Sequence, residues 1–315
     1  MNVGRISTNY QFIRSMNSIN SSYWNMDTLL EKMNTGKEVN RASDDPAAMQ
    51  KILAFNTSIE ETEQQQANIS SAIGRLNATS TVLSRVEDIM SELIEITASS
   101  QATSATSTER AAQAKEVDML LQELVDLANT QYQNKFLFGG VNTTSGTCAL
   151  SQPFNIQTDA DGVITGVIPN PRGINDIIYT EIMPNVDFPV NISGAAVFQP
   201  NGSGGLGDIF NIAIQLRDNL NSGDTDALLQ RERELNNALV QVVDQNTIVG
   251  AYINRLEITD STLEAMKTNE EEEKSQIEDA DYSTIYMKYS TAELLLNTTL
   301  NATSTLLQTS LLNFI

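Results

Sequence analysis

Few residues of this 315-residue chain have the types and the spacing that catalysis or metal binding requires. The chain has no histidine, so the commonest general base is absent. It has one cysteine, Cys148, within a stretch of Thr, Ser and Gly, so a disulfide framework is impossible and neither a zinc nor a haem site is expected. No serine or cysteine nucleophile has an evident activating partner. We therefore predict that the chain is not an enzyme and that it holds no cofactor and no metal.

A glycine-rich hexapeptide at residues 202–207 (GSGGLG) has the spacing of a dinucleotide-binding loop. That loop needs a buried strand before it and a strand–helix–strand unit around it. Here Pro200 and Asn201 precede the motif and only helical patterns follow it. The sequence therefore favours a flexible linker at a domain boundary over a phosphate-binding site.

Two acidic motifs have equally ordinary explanations. Residues 159–162 (DADG) resemble the middle of a calcium loop, but Gln157 and Ile168 occupy its first and twelfth positions, where acidic ligands are required. Asp161 and Gly162 instead favour a hairpin turn. Residues 270–273 (EEEE) are consecutive on a predicted helix, so their carboxylates point around the axis and favour a solvated face over a metal site.

Charge is distributed unevenly along the chain. With 19 Lys and Arg against 40 Asp and Glu, the net charge is -21, which argues against a nucleic-acid partner. Both ends are close to neutral, and the acidic excess falls on residues 46–282. No apolar run reaches the roughly 18–20 residues of a membrane span. Residues 1–10 lack a basic run followed by an apolar core, so we expect no cleaved signal peptide and no membrane partner.

The elements around which the chain is organised are two amphipathic helices, one near each end. Residues that are mostly large and apolar recur there at steps of three and four, which alternate strictly near the N-terminus, the spacing of a coiled-coil seam. Near the N-terminus they are Phe12, Met16, Ile19, Tyr23, Met26, Leu30 and Met33, and near the C-terminus Ile285, Tyr289, Ala292, Leu296, Leu300, Thr303, Leu307, Leu311 and Phe314. Neither stripe can be buried by its own helix, so we predict that the two ends form a coiled-coil-like pair. Apolar residues outside the seam, such as Leu294 and Leu295, favour burial by other subunits.

Long helical patterns and a β-rich segment separate these ends. Gly36 can supply a positive φ at the end of the first helix, and Ser43, Asp44 and Asp45 offer N-cap oxygens for a helix that begins near Pro46 and continues to about residue 100. Ser107 or Thr108 is predicted to cap a third helix. Strand candidates follow at 154–157, 163–168, 176–182, 186–192 and 195–198. Helical periodicity returns at Asp208, which is a good N-cap, and continues through a long helix from Thr225.

The sequence therefore predicts a mainly α protein with an inserted β domain, arranged as a nested hairpin of long helices. Its predicted domains are a terminal helical core (1–45 and 280–315), a long-helix bundle (46–140 and 208–279) and a small β domain (141–207).

Short motifs at both ends resemble those of the flagellin superfamily and, within it, of the hook-associated protein 3 family. They are residues 5–9 (RISTN), 35–48 (TGKEVNRASDDPAA), 136–140 (FLFGG), 249–251 (VGA), 254–256 (NRL), 277–281 (IEDAD) and 310–315 (SLLNFI). The match covers the terminal thirds and hardly touches the middle. Filament flagellins look similar but typically lack the proline at the place of Pro46 and the Phe-Gly-Gly that ends at Gly140. These two features therefore favour the hook-associated protein 3 family, whose members lie at the junction of hook and filament.

The resemblance implies a structural subunit of the bacterial flagellum, exported through the flagellar channel without a cleaved signal. Such proteins form a homo-oligomeric ring between hook-associated protein 1 and the flagellin filament, with the terminal helices as the inner core. The assembly interface would then comprise Phe12, Met16, Ile19, Tyr23, Met26, Leu30, Met33, Tyr289, Leu296, Leu300, Leu307, Leu311 and Phe314. A cytosolic export chaperone would cover Leu296, Leu300, Leu307 and Leu311 before secretion. The alternatives are a filament-forming flagellin and a secreted coiled-coil adhesin or effector.

Overall fold

The computed structural model describes residues 8–101, 106–141 and 152–312. Helices dominate these residues, and short strands lie between the third and fourth helices, so the predicted fold class is confirmed. In chain order the elements are α1 (Thr8–Thr35), α2 (Pro46–Ser100), α3 (Ser107–Ala128), β1 (Gln131–Tyr132), β2 (Lys135–Phe136), β3 (Phe154–Thr158), β4 (Ile164–Pro169), β5 (Tyr179–Met183), β6 (Val186–Pro189), α4 (Gly194–Phe198), α5 (Ile209–Ser222), α6 (Thr225–Glu278) and α7 (Tyr282–Leu312).

The chain divides into two compact units. The terminal unit comprises residues 1–61 and 265–315, and the central unit comprises residues 62–264. The long helices α2 and α6 each contribute to both units. The predicted division into three domains stays a prediction.

In the terminal unit α1 packs against α7, as predicted for the two ends. The helices are antiparallel, because Arg14 and Thr303 line one groove between them while Asn25 and Lys288 line another. Gly36 ends α1 at a φ of 73°, and its N–H donates to the Lys32 carbonyl. These observations confirm the sequence-based expectation that Gly36 supplies a positive φ after the first helix.

A short strap after α1, residues 36–40, crosses the break between α6 and α7. The Glu38 N–H donates to the Glu278 carbonyl at 2.7 Å, and the Ala280 N–H donates to the Gly36 carbonyl at 2.9 Å. Lys37 adds an ion pair of 2.5 Å with the largely buried Glu278 carboxylate. The strap therefore fixes the end of α6 beside the end of α1.

Capping side chains specify the starts of several helices. Asp45 Oδ1 accepts the N–H groups of Ala47 and Ala48 at the start of α2, with Pro46 at the first helical position. Helix α3 begins with a capping box in which the cap is Thr106, one residue before the predicted position, and its partner is Glu109. The predicted cap of α5, Asp208, is confirmed.

The core of the central unit is built from α2, α3, α5 and α6, which bury apolar stripes against one another. At one end four phenylalanines, Phe138, Phe154, Phe198 and Phe210, form a cluster with ring centroids 5.1–5.5 Å apart. Side-chain bonds join α2 to α6 around this core, such as Ser80 Oγ to Asn246 Oδ1 at 2.8 Å. The β-rich segment therefore shares its core with the helices.

The strands form three antiparallel two-stranded sheets among the described residues, β1–β2, β3–β4 and β5–β6. The predicted hairpin at Asp161 and Gly162 joins β3 to β4. Strands β5 and β6 are shorter than predicted, and the β1–β2 hairpin was not predicted. Its turn residues Gln133 and Asn134 both have positive φ, the requirement of the tight turn that suits a two-residue connection.

The prediction of a strand at 195–198 is wrong, because these residues form the helix α4. Ser193 caps this helix by accepting the Ala196 N–H. A side chain at Gly194 would meet the Phe138 carbonyl at 2.4 Å, so the helix start lies directly against the chain after β2. The β-branched and aromatic pattern that suggested a strand instead places Val197 and Phe198 in the core.

Candidate assembly surface

The predicted seam of α1 is only partly covered. Phe12, Met16 and Tyr23 are exposed, whereas Ile19, Met26, Leu30 and Met33 are half-buried. No described side chain of α1 is buried. A stripe of this width packs against α7 along one edge, and its other edge faces solvent.

The seam of α7 is better covered at its start. Ile285, Ala292, Leu296 and Thr303 are buried, and Tyr289 is half-buried. Leu300, which the spacing also placed in the seam, is exposed. Leu307 and Leu311 belong to α7 by their backbone, but their side chains lie outside the described residues, as does all of Phe314.

Several large apolar side chains of α1 and α7 are exposed although they are not at the predicted seam positions. Trp24 is 71% exposed and Leu294 is 68% exposed. The others on these two helices are Tyr10, Ile13, Tyr282, Tyr286, Met287 and Leu295. The sequence had already indicated Leu294 and Leu295, and adjacency to the seam could have found others, because Ile13 follows Phe12 and Trp24 follows Tyr23. Together they form an apolar surface on a helix pair that carries few charges.

A groove between α1 and α7 belongs to this surface. It has a volume of about 410 Å³. Leu29 lines it from α1, and Met287, Ala292 and Leu295 line it from α7. Such a groove can accept an apolar side chain from another helix.

The glycine-rich hexapeptide forms tight turns around Asp208 and is not an open phosphate-binding loop. The Gly204 N–H donates to Asp208 Oδ2 at 2.7 Å, and the Gly205 N–H donates to the Gly202 carbonyl. Burial raises the pKa of Asp208, while hydrogen bonds from the N–H groups of Gly204 and Asn211 act in the opposite direction. The Asp208 carboxylate thus accepts the hydrogen bond of an N–H group that a bound phosphate would need.

The acidic motifs also have structural roles. Asp159 Oδ1 accepts the N–H groups of Asp161 and Val163 within the hairpin turn. Glu270 accepts a hydrogen bond from Ser58 Oγ at 2.7 Å. Within the three described ranges, no group of three or more His, Cys, Asp or Glu is arranged to hold a metal ion. Cys148 lies outside the described residues.

Two family models match the chain. Residues 6–143 match the bacterial flagellin N-terminal helical region, and residues 233–315 match the bacterial flagellin C-terminal helical region. These two regions together cover more than half of the chain. The chain belongs to the flagellin family. None of its described helices is both long enough and apolar enough to cross a membrane.

Curated relatives extend the match over most of this flagellin-family chain. Flagellar hook-associated protein 3 of Escherichia coli (strain K12) is 23% identical over 298 residues, which are 90% of this chain and 91% of the relative. A flagellin of Clostridium tyrobutyricum is 24% identical over 202 residues, which are 64% of this chain and 45% of the relative. These relatives are structural proteins of the flagellum and not enzymes.

A solved structure shares the fold. Flagellar hook-associated protein-3 from Legionella pneumophila superposes with a TM-score of 0.60 at 16% identity, covering 72% of this chain and 98% of that one. The predicted resemblance to the hook-associated protein 3 family is thus confirmed in sequence and in fold.

Proposed function

We propose that this chain is a structural subunit of the junction between the flagellar hook and the filament. In this role it forms a homo-oligomeric ring that contacts hook-associated protein 1 on one side and flagellin on the other. The extent of the matches supports the junction role over the filament role. The hook-associated relative aligns over nine-tenths of both chains, whereas the flagellin relative aligns over less than half of its own length.

The single observation that carries the proposal is the apolar surface of α1 and α7. A soluble monomer rarely exposes so many large apolar side chains on two paired helices, and exposed apolar surfaces mark sites of protein association. Each square ångström of apolar area removed from water contributes about 25 cal/mol, so burial of residues such as Trp24 and Leu294 in an assembly is strongly favourable. We therefore assign subunit contact to the predicted seam residues and to these exposed neighbours.

The charge distribution supports the same role. Helix α7 carries only Lys288 and Glu293 as charged residues, and α1 carries two basic and two acidic side chains. Copies of such helices can pack closely without strong like-charge repulsion. The acidic excess falls on residues 46–282, between the two ends.

Export through the flagellar channel and capture by a cytosolic chaperone belong to the same proposal. Of the four leucines proposed for the chaperone, Leu300 is exposed and Leu296 is buried against the helix pair. A chaperone that contacts Leu296 must therefore bind α7 after it has separated from α1. Deletion of residues 8–35 should strengthen chaperone binding, because it removes the competing helix.

Substitution of exposed residues on α1 and α7 tests the proposed interface. Trp24→Asp and Met287→Asp should leave the monomer's free energy of unfolding within about 0.5 kcal/mol of the wild type, since both side chains are exposed. Each should abolish the attachment of filaments when purified protein is added to hooks that carry hook-associated protein 1. Urea denaturation and electron microscopy measure the two effects.

Leu206→Asp is the matched control, because Leu206 is 80% exposed in the central unit. This variant should support filament attachment as well as the wild type. Normal attachment with both terminal-unit variants would refute the assembly role of α1 and α7. The paired change of Leu300 and Leu307 to Asp should behave like the Trp24 variant.

The match to a flagellin favours one alternative, a subunit that forms the filament itself. Seeding of the purified chain distinguishes the two functions, because a flagellin elongates into long filaments and a junction protein stops at a cap. A secreted coiled-coil adhesin or effector is tested by gene deletion, since that function predicts that filaments remain attached.

A further inference from the structure

A cavity of about 440 Å³ lies in the central unit. One wall is a turn and a half of α2 that includes Ser71 and Arg75. The β1–β2 hairpin supplies Tyr132 and Lys135, and β5 supplies Thr180. The volume is sufficient for a small organic acid.

Among the described residues that line this cavity, two are cationic and none is a carboxylate. Arg75 and Lys135 are the charged residues among its described lining, in a chain whose net charge is -21. Neither forms an ion pair with any described carboxylate. Arginines in this protein otherwise often meet Asp or Glu, as Arg85 meets Glu123 and Arg217 meets Asp118.

The guanidinium of Arg75 is held in place but only partly satisfied. Its Nη2 donates to the carbonyls of Phe136 at 3.0 Å and Leu137 at 3.3 Å. Its Nε is buried without a hydrogen-bond partner. Burial lowers the pKa of Arg75, because the charged form has lost water without gaining a counter-ion. A partly buried cation that has no counter-ion is stabilised by any anion that reaches it.

The walls of the cavity are fixed by local backbone geometry. Gly74 lets Tyr132 approach α2, since a Cβ at this position would lie 2.8 Å from the Tyr132 hydroxyl. The positive φ values of Gln133 and Asn134 turn the chain so that Lys135 follows directly in β2. The Val190 N–H donates to the Ile178 carbonyl at 2.9 Å on the opposite side. The backbone that carries Tyr132 and Lys135 is therefore set before any ligand enters.

We propose that this cavity binds a small oxyanion, with a carboxylate group held between Arg75 and Lys135. Hydroxyl donors from Ser71, Tyr132 and Thr180 line the same space. Guanidinium groups pair with carboxylates through charge-assisted hydrogen bonds, which are about twice as strong as neutral ones. The carboxylate is supplied either by a free organic acid or by an Asp or Glu side chain of a second copy of this chain.

Titration of the purified full-length chain with malonate tests the site. Thermal unfolding at constant ionic strength, with sodium chloride as the balancing salt, should show saturable stabilisation by malonate, because a ligand that binds only the folded state raises its stability. Lys135→Glu places a like charge at the cavity and should weaken the binding by about tenfold. Lys135 is exposed, so this variant should fold normally.

Lys115→Glu is the control, since it makes the same change of charge at an exposed position of α3 that does not line the cavity. It should bind malonate as the wild type does. Equal loss in both variants would show non-specific screening and would overturn the proposal. Arg75→Gln provides a second test, because it removes the cation and retains an amide donor.

Sedimentation experiments distinguish the two sources of the carboxylate. If a second copy supplies it, the wild type self-associates, and both malonate and Lys135→Glu abolish this association. If a free acid supplies it, the monomer binds malonate and its self-association does not depend on Lys135. The proposal fails if malonate gives no saturable effect and self-association is also insensitive to Lys135.

Discussion

The terminal and central units use the same helical periodicity but differ in how much of it is covered. In the central unit Leu76, Leu121, Leu216 and Val242, from four different helices, are fully buried. In the terminal unit no described side chain of α1 is buried, and α7 buries mainly Ile285, Ala292 and Leu296. The residue types are comparable, so the number of neighbouring helices makes the difference.

This difference shows that apolar periodicity identifies the face of a helix that is to be buried, but does not identify the element that buries it. Four helices and two hairpins can enclose a core, and a pair of helices cannot. The central unit is therefore expected to keep its structure by itself, whereas the terminal pair depends on contacts that other chains supply. Substitutions in the two units should consequently affect different properties.

The largest effect on monomer stability is expected in the phenylalanine cluster of the central unit. Phe198 is fully buried and contacts the rings of Phe138, Phe154 and Phe210. Phe198→Ala should lower the free energy of unfolding by about 3–5 kcal/mol, because it leaves a cavity that the surroundings fill only partly. Urea denaturation followed by circular dichroism measures this loss.

The matched control is Leu206→Ala, which truncates an exposed side chain of the same unit and should change stability by less than about 0.5 kcal/mol. A small effect of Phe198→Ala would contradict the view that the central unit has a self-sufficient core.

A smaller effect is expected at the strap of the terminal unit. Lys37→Met removes the cation that contacts the largely buried Glu278 and leaves it with Lys274 at 3.5 Å. Since Lys37 is itself half-exposed, the free energy of unfolding of the terminal unit should fall by about 1 kcal/mol. The Glu38 and Ala280 N–H groups donate to the carbonyls of Glu278 and Gly36, so their hydrogen exchange should accelerate accordingly.

Lys51→Met removes an exposed cation elsewhere in the terminal unit and should leave those two amides unchanged. If both variants accelerate exchange equally, then general charge effects hold the strap in place, and the specific ion pair does not.

The smallest effect concerns the cap of α7. Hydrogen bonds from the Thr284 hydroxyl and the Ser283 N–H hold the pKa of Asp281 below its ordinary value. The cap therefore contributes stability above the ordinary aspartate pKa of about 3.9, and this contribution is lost as the pH falls through the lower pKa of the folded state. Amide exchange at Ser283, corrected for the intrinsic pH dependence, should accelerate on acidification.

Asp281→Asn retains a capping oxygen that does not titrate, so its corrected exchange should stay constant over the same pH range. A pH response in this variant equal to that of the wild type would assign the effect to another group.

Periodicity and capping signals in the sequence were sufficient to predict every described helix except α4. The stripes of α2, α3 and α6, the caps near Pro46 and at Asp208, and the hairpin at Gly162 all agree with the structure. These signals are local, because each depends on residues within a few positions of one another. The pairing of α1 with α7 was also predictable, since two matching seams stood at opposite ends of the chain.

Features that depend on distant neighbours were not predicted. The segment at 195–198 has strand-forming residues, but Ser193 caps a helix there and Gly194 packs against the chain after β2. Trp24 was not selected for the candidate site because it lies outside the a/d spacing, although its exposure places it on the apolar surface. The Arg75 cavity combines residues from α2, the β1–β2 hairpin and β5, which no short motif connects.

The strap has a topological consequence. It joins Gly36 and Glu38 to Glu278 and Ala280, positions about 240 residues apart in the sequence. The chain between these positions therefore forms one large loop that is closed by reversible, non-covalent bonds. Proteolytic loss of the chain ends would therefore leave this loop closed. Breaking the bonds of the strap would instead open it, and the chain would regain the conformational entropy that loop closure had removed.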